Sequence, residues 1–190
     1  MLSLYPEIAS VGDSQRPGIV HRLDKGTSGL LVVALSPEGY LGLTQQLQER
    51  AIKRVYTALI LGALDSDKGV IEAPLGRDPK NPTRRAVVAD GKEARTRYEI
   101  LERYTGPEEC CLARCELETG RTHQIRAHFS AIGHPVVGDN LYGGSSRSFD
   151  LKRPFLHSSL LAFEHPISGD SLSFSSQIPE ELSTILDKVQ

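Results

Sequence analysis

The run His21-Arg22-Leu23-Asp24-Lys25-Gly26-Thr27-Ser28-Gly29, opening directly into Leu30-Leu31-Val32-Val33-Ala34, constrains this chain more than any other stretch. An acid set between cations, then glycines, then an apolar run reads as a carboxylate held in a turn at a sheet edge, within reach of a ligand. The continuity of Leu30 to Val33 predicts a buried strand over 29–35. Taken alone, an aspartate in a glycine-rich turn is ordinarily a turn former making local hydrogen bonds. Asp24 therefore needs support from the rest of the chain before it counts as a site.

Downstream, Ser36 offers an N-cap and Pro37 a first helical position, with Tyr40, Leu43 and Leu47 along one face, which predicts a helix over 37–50. The β-branched and aromatic content of 54–61, punctuated by Gly62, predicts a strand, and 70–73 a shorter one. The pair Asp90-Gly91 predicts a hairpin joining Ala86–Val88 to Ala94–Ile100, with Arg95 and Arg97 sharing a face. Cys111, Ala113, Cys115 and Leu117 alternate with Leu112, Arg114, Glu116 and Glu118, the pattern of a strand with one face toward a core. Ile125, Phe129 and Ile132, followed by Gly133, predict a helix over 122–132 that carries Arg126 on a different face from Ile125. Its start, beside Arg121, is a candidate anion cradle. Strands over 155–163 and 171–175 and a helix beginning near Pro179 complete the expected elements.

With 190 residues and 39% hydrophobic content, the chain can bury one core, so a single domain is expected. No apolar run approaches the roughly 20 residues of a membrane span, and Met1-Leu2-Ser3-Leu4-Tyr5-Pro6 lacks the pattern of a secretory leader. Cys110, Cys111 and Cys115 lie in one strand-like stretch, where an odd count suits small core or edge residues in a reducing cytoplasm. The formal charge of -2 conceals segregation. Arg77, Lys80, Arg84, Arg85, Lys92, Arg95 and Arg97 outnumber the nearby acids, and Arg121, Arg126, Arg147, Lys152 and Arg153 form a second basic run. Such a distribution can line a basic groove for a phosphate-bearing partner. It fits equally a set of solvated faces with no partner.

His21-Arg22-Leu23-Asp24, the Tyr56 strand, Thr119-Gly120-Arg121-Thr122-His123-Gln124-Ile125-Arg126 and Gly138-Asp139-Asn140-Leu141-Tyr142-Gly143 resemble the successive motifs of the RluA/RluD-type pseudouridine synthases, closest to the RluD branch. They stand in that family's order, and the likeness runs from about Tyr5 to the end, through Phe155-Leu156-His157 and Phe163-Glu164-His165-Pro166. The resemblance implies an α+β fold: a mixed, largely antiparallel sheet with flanking helices and a central basic cleft, in keeping with the strand-rich reading above. It implies an RNA-modifying isomerase that detaches the uracil of particular uridines, rotates it and rejoins it through carbon 5, with no metal and no organic cofactor. The expected partner is RNA, ribosomal by the likeness to the RluD branch. A monomer is expected, with no membrane association.

Carried over by motif, Asp24 matches the family's essential aspartate, for which two roles stay open: nucleophile, or base removing a sugar proton. Arg126 matches the basic residue paired with that aspartate, and Tyr56 the active-site tyrosine that stacks on the uracil. Arg22 matches an arginine that enters the stack left by a flipped nucleotide. Arg84, Arg95, Arg121 and His123 join Arg22 as expected RNA-binding residues, while Asp139 reads as structural.

Only 23 residues precede Asp24. The expectation is a catalytic domain over 1–190 without the family's usual leading strand and Asn-Lys-Pro-like turn, and without a separate RNA-binding domain ahead of it. Two alternatives stand beside catalysis. One is a catalytically weak RNA-binding remnant. The other is a glycoside hydrolase pairing Asp24 with a second acid, disfavoured because no second acid has a fitting motif.

Overall fold

A computed structural model describes residues 3–146 and 148–189, so Arg147 of the second basic run lies outside the described residues. The central strand is β2 (Lys53–Leu61), whose Val55, Ala58, Leu59 and Ile60 are all at most 2% exposed. A strand this uniformly buried must be covered on both faces and paired on both edges. β7 (Cys110–Leu117) pairs antiparallel along one edge, from Val55↔Glu116 to Leu61↔Cys110, and β8 (Leu156–Glu164) along the other.

The sheet continues outward from β7 through β6 (Arg95–Tyr104) to β3 (Lys68–Glu72). On the far edge of β8 sit β1 (Ser28–Gly29) and β9 (Ser171–Ser175), which divide that edge between them. Only the β1–β8 pairing is parallel, which makes this the mixed, largely antiparallel sheet of an α+β fold. A separate two-stranded ribbon joins β4 (Leu75–Arg77) to β5 (Arg85–Val87). The helices are α1 (Pro37–Gln48), α2 (Gln124–Ala131) and α3 (Glu180–Val189).

Local signals set the helix limits. Ser36 Oγ accepts the Gly39 N–H at 3.1 Å and Pro37 opens α1. Gly133 follows α2 at φ 85°, the left-handed conformation of a helix C′ residue. Phe129 on α2 is fully buried and meets Tyr98 of β6 edge-on at 5.6 Å. All three cysteines are free and buried, as the alternation predicted for Cys111 and Cys115; Cys110, one residue before Cys111, is buried as well.

Two expectations fail. The stretch 29–35 is not a buried strand: only Ser28 and Gly29 pair with β8, and the chain then runs on in extended form, with one isolated bridge from Val33 to Ile19. Leu30 and Val32 pack into a small second core with Ile8, Val11, Leu43 and Leu161, while Leu31 is 40% exposed. Within this apolar run Leu30 and Val32 face a satellite core while Leu31 between them faces solvent, a pattern that continuity conceals.

The predicted hairpin is also different. β5 pairs with β4, not with β6, because β6 already has β3 on one edge and β7 on the other. Gly91 does close a turn onto Val88, but Lys92 then exchanges two 2.9 Å hydrogen bonds with Leu75. A Cβ at Gly91 would lie 2.7–2.8 Å from the backbone of Pro74 and Leu75, so the glycine permits a close approach rather than a hairpin turn. Arg95 and Arg97 do share a face, both reaching Glu118.

Candidate active site

The turn that carries Asp24 is tied down at both ends. Thr27 N–H returns to Asp24 O at 2.9 Å, and Arg153 Nη1 donates to Gly26 O at 2.8 Å. Ser28 Oγ lies 2.9 Å from His157 Nδ1, and Gly29, at φ 107°, passes so close to Ser158 that any Cβ would overlap its backbone. His21 fixes the other flank, its Nε2 accepting the Val32 N–H at 3.1 Å. The two residues of β1 therefore place the acid at the sheet edge.

Asp24 opens on a cavity of about 600 Å³ whose lining includes Arg22, Arg54, Tyr56, Arg121 and His123. Five arginines line it (residues 16, 22, 50, 54 and 121) against three acids, Asp13, Asp24 and Glu118, giving the cavity a net positive lining. Glu118 is further neutralised by Arg95 and Arg97, at 3.3 and 2.7 Å.

Arg126 stands behind the acid. Its Nη1 lies 3.4 Å from Asp24 Oδ2, and its Nε and Nη2 donate to the two carboxylate oxygens of Asp139 at 2.6 and 3.0 Å. The side chains of Arg126, Asp24 and Asp139 are 7%, 13% and 1% exposed. Burial opposes the charged guanidinium, but Asp139 and then Asp24 outweigh it and raise the Arg126 pKa. The Tyr142 ring lies under the same guanidinium, 4.9 Å from centroid to Cζ. Tyr142 Oη accepts the Arg85 N–H at 2.7 Å and lies 3.0 Å from His123 Nδ1. Burial pushes the Tyr142 hydroxyl up to about 12 and lowers His123.

Tyr56 is 6% exposed. Burial raises its pKa against the opposing pull of Arg54, so the phenol is neutral at pH 7. The loop that carries His123 is clamped by Gln124, whose Oε1 accepts from Thr119 Oγ1 (2.7 Å) and Arg121 N–H (3.0 Å). Its Nε2 donates to Arg95 O and Thr96 Oγ1, each at 3.0 Å. All four hydrogen-bonding positions of a buried amide are filled, which makes the loop rigid. The anion cradle expected at this helix start thereby loses one donor, since the Arg121 N–H already has an acceptor.

The fold thus brings together Asp24, Tyr56, Arg126, Arg22, Arg121 and His123, but not every residue singled out in the sequence. Arg84 donates to Asp78 at 2.5 Å and to Leu141 O, and Arg95 lies between Glu72 and Glu118. Neither lines the cavity. Conversely, Asp139, read as structural, holds the tighter grip on Arg126. Tyr142 had no assigned role, and Arg54 was not singled out at all. The signal for Arg54 was its position two residues before Tyr56 on one strand, which puts both on one face.

The RNA pseudouridylate synthase family matches residues 7–131, a span that contains Asp24, Tyr56 and Arg126. The chain belongs to that family. It is 46% identical over its whole length to a ribosomal large subunit pseudouridine synthase D of Nitrosomonas europaea, of which it covers 55%. It is 43% identical, again over its whole length, to an uncharacterized RNA pseudouridine synthase of Chloroflexus aurantiacus, covering 58%. The chain thus spans little more than half the length of these curated relatives. Among solved structures, human RNA pseudouridylate synthase domain containing 1 aligns with 87% of the chain at a TM-score of 0.75 and 29% identity, over 71% of that protein. Asp139 and Tyr142 lie beyond the span that the family match covers, yet they complete the environment of Arg126 within it.

Proposed function

We propose that this chain isomerises uridine in structured RNA to pseudouridine, with large-subunit ribosomal RNA as the substrate, and that residues 1–190 act as one catalytic domain. The observation that carries the reading is the buried ion pair that Arg126 makes with Asp24, which lines an arginine-rich cavity together with Tyr56. A flipped uridine entering there meets the Tyr56 ring as a stacking surface and the Asp24 carboxylate at its sugar.

Isomerisation breaks the bond from N1 to C1′, turns the uracil and forms the bond from C5 to C1′, after which the C5 proton leaves and N1 takes one up, so that atoms balance. Nothing is oxidised or reduced. A carboxylate serves this chemistry as nucleophile or as base, and either role requires it ionised and oriented. Arg126 serves the orientation: it contacts the carboxylate, and its own position is set by Asp139 and the Tyr142 ring. The RNA contacts we assign to Arg22, Arg121 and His123, which border the cavity. Arg84 and Arg95, already engaged by carboxylates, contribute to the fold of the β4–β5 ribbon and of β6.

Incubation with an in vitro transcript of bacterial large-subunit ribosomal RNA labelled with tritium at uridine C5 tests the reading. Release of tritium to solvent supports it. Binding without release would instead identify an RNA-binding remnant.

A further inference from the structure

Arg54 is the one cavity arginine that is both buried and without an acceptor among the described residues. It is 6% exposed, its Nε is buried without a hydrogen-bond partner, and its guanidinium forms no ion pair among the described residues. Each acid that lines the cavity has another partner: Asp24 faces Arg126, Glu118 lies between Arg95 and Arg97, and Asp13 accepts the Gln15 N–H. A buried guanidinium with no counter-charge is costly, and burial lowers its pKa accordingly. A fold that retains such a group at a cavity wall supplies the missing acceptor from outside.

The surroundings are shaped for that side chain. Gly120 lies against it, and a Cβ at that position would overlap Arg54 Nη1. His21, pushed down to about 4 by burial and by Arg54 itself, is neutral at pH 7 and leaves Arg54 as the local charge. Arg54 and Tyr56 stand two residues apart on β2 and both line the cavity. That spacing, about 6.5 Å along a strand, is the scale of one nucleotide from base to phosphate.

We propose that Arg54 seats a phosphodiester of the nucleotide whose base lies on Tyr56, so that one strand grips the base and the phosphate of the same residue. The inference rests on the reading of the cavity as a uridine site. It adds what holds the nucleotide's other end: a guanidinium left free inside the protein so that the RNA backbone completes it. Arg54 is a binding residue here, distinct from the reacting groups.

The probes are uridine, uridine 3′-monophosphate, uridine 5′-monophosphate and uridine 3′,5′-bisphosphate, titrated into the intact chain and followed by isothermal calorimetry and by the Arg54 Nε–H resonance. We expect the bisphosphate to bind about tenfold or more tightly than uridine, with the Arg54 resonance shifting for phosphorylated probes only. The two monophosphates report which phosphate is held. Arg54→Gln should reduce that preference to about threefold, and Arg54→Lys should retain an intermediate preference. If Arg54→Gln does not fold, the resonance in the unaltered protein still decides. A bisphosphate no tighter than uridine, an unmoved Arg54 resonance, or an undiminished preference in Arg54→Gln would each overturn the proposal. Absence of tritium release from RNA, by contrast, would overturn the catalytic reading while leaving these binding results to stand.

Discussion

Arg126 binds Asp139 more closely than it binds Asp24: two hydrogen bonds of 2.6 and 3.0 Å go to Asp139, against one contact of 3.4 Å to Asp24. The guanidinium is thus clamped by one carboxylate and offers its remaining nitrogen to the other. This division of labour holds Asp24 in place without locking it, as suits an acid that must engage a substrate.

Removing the Asp139 charge should therefore damage both stability and turnover. Asp139→Asn leaves a buried guanidinium without its main counter-charge, at a cost of about 3–5 kcal/mol. The expected result is a lower urea midpoint together with a slower single-turnover rate. A variant as stable and as fast as the parent would show that Asp139 does not position Arg126.

Asp24→Asn keeps the shape of the side chain and removes its charge and basicity. Turnover should vanish while RNA binding and the melting temperature stay close to the parent's. Tritium release from C5-labelled RNA, measured beside a filter-binding assay, separates the two properties, and near-normal release would remove Asp24 from the chemistry.

The rim should behave differently from the floor. Arg22→Ala and Arg121→Ala should each lower the dependence of log K on log salt by about one phosphate contact. Arg84→Ala and Arg95→Ala should leave that slope unchanged, because Asp78 and Glu118 already hold those side chains. Arg126→Ala should reduce turnover more than affinity. Equal slopes for all four rim and ribbon variants would mean that cavity lining does not decide which cations meet RNA.

Stability should fall as pH drops from about 6.5 toward 4. His21 has an ordinary value of 6.5 and is held at about 4 in the fold, so over that window the unfolded chain binds a proton that the native one refuses. Burial lowers His128 and His157 in the same sense. The His21 share is about 2 kcal/mol after allowance for its partial exposure. His21→Gln, whose amide oxygen can still accept the Val32 N–H, should flatten the pH dependence of the urea midpoint; an unaltered curve would exclude His21 as its source.

How much could be read from the chain alone divides along physical lines. Ser36 and Pro37, Gly133 and the alternation from Cys111 to Leu117 act over a few residues, and each predicted its element. The turn around Asp24 was legible for the same reason, since glycines and charged neighbours act locally. Leu30 to Val33 misled because an apolar run reports burial without reporting what it is buried against. Asp90-Gly91 misled because a turn signal competes with strand pairings made far along the chain, and β6 had two better partners.

By itself, then, the sequence determined the local elements, the motif order and the acid at the sheet edge. Only the tertiary structure decided which charges meet. Asp24 and Arg126 are 102 residues apart, Arg84 and Arg95 pair with acids that also belong to the fold, and Arg54 receives none among the described residues. Composition counts charges, but an ion pair depends on distances of a few ångströms between side chains carried by different strands and helices, and packing of the whole sheet sets those distances.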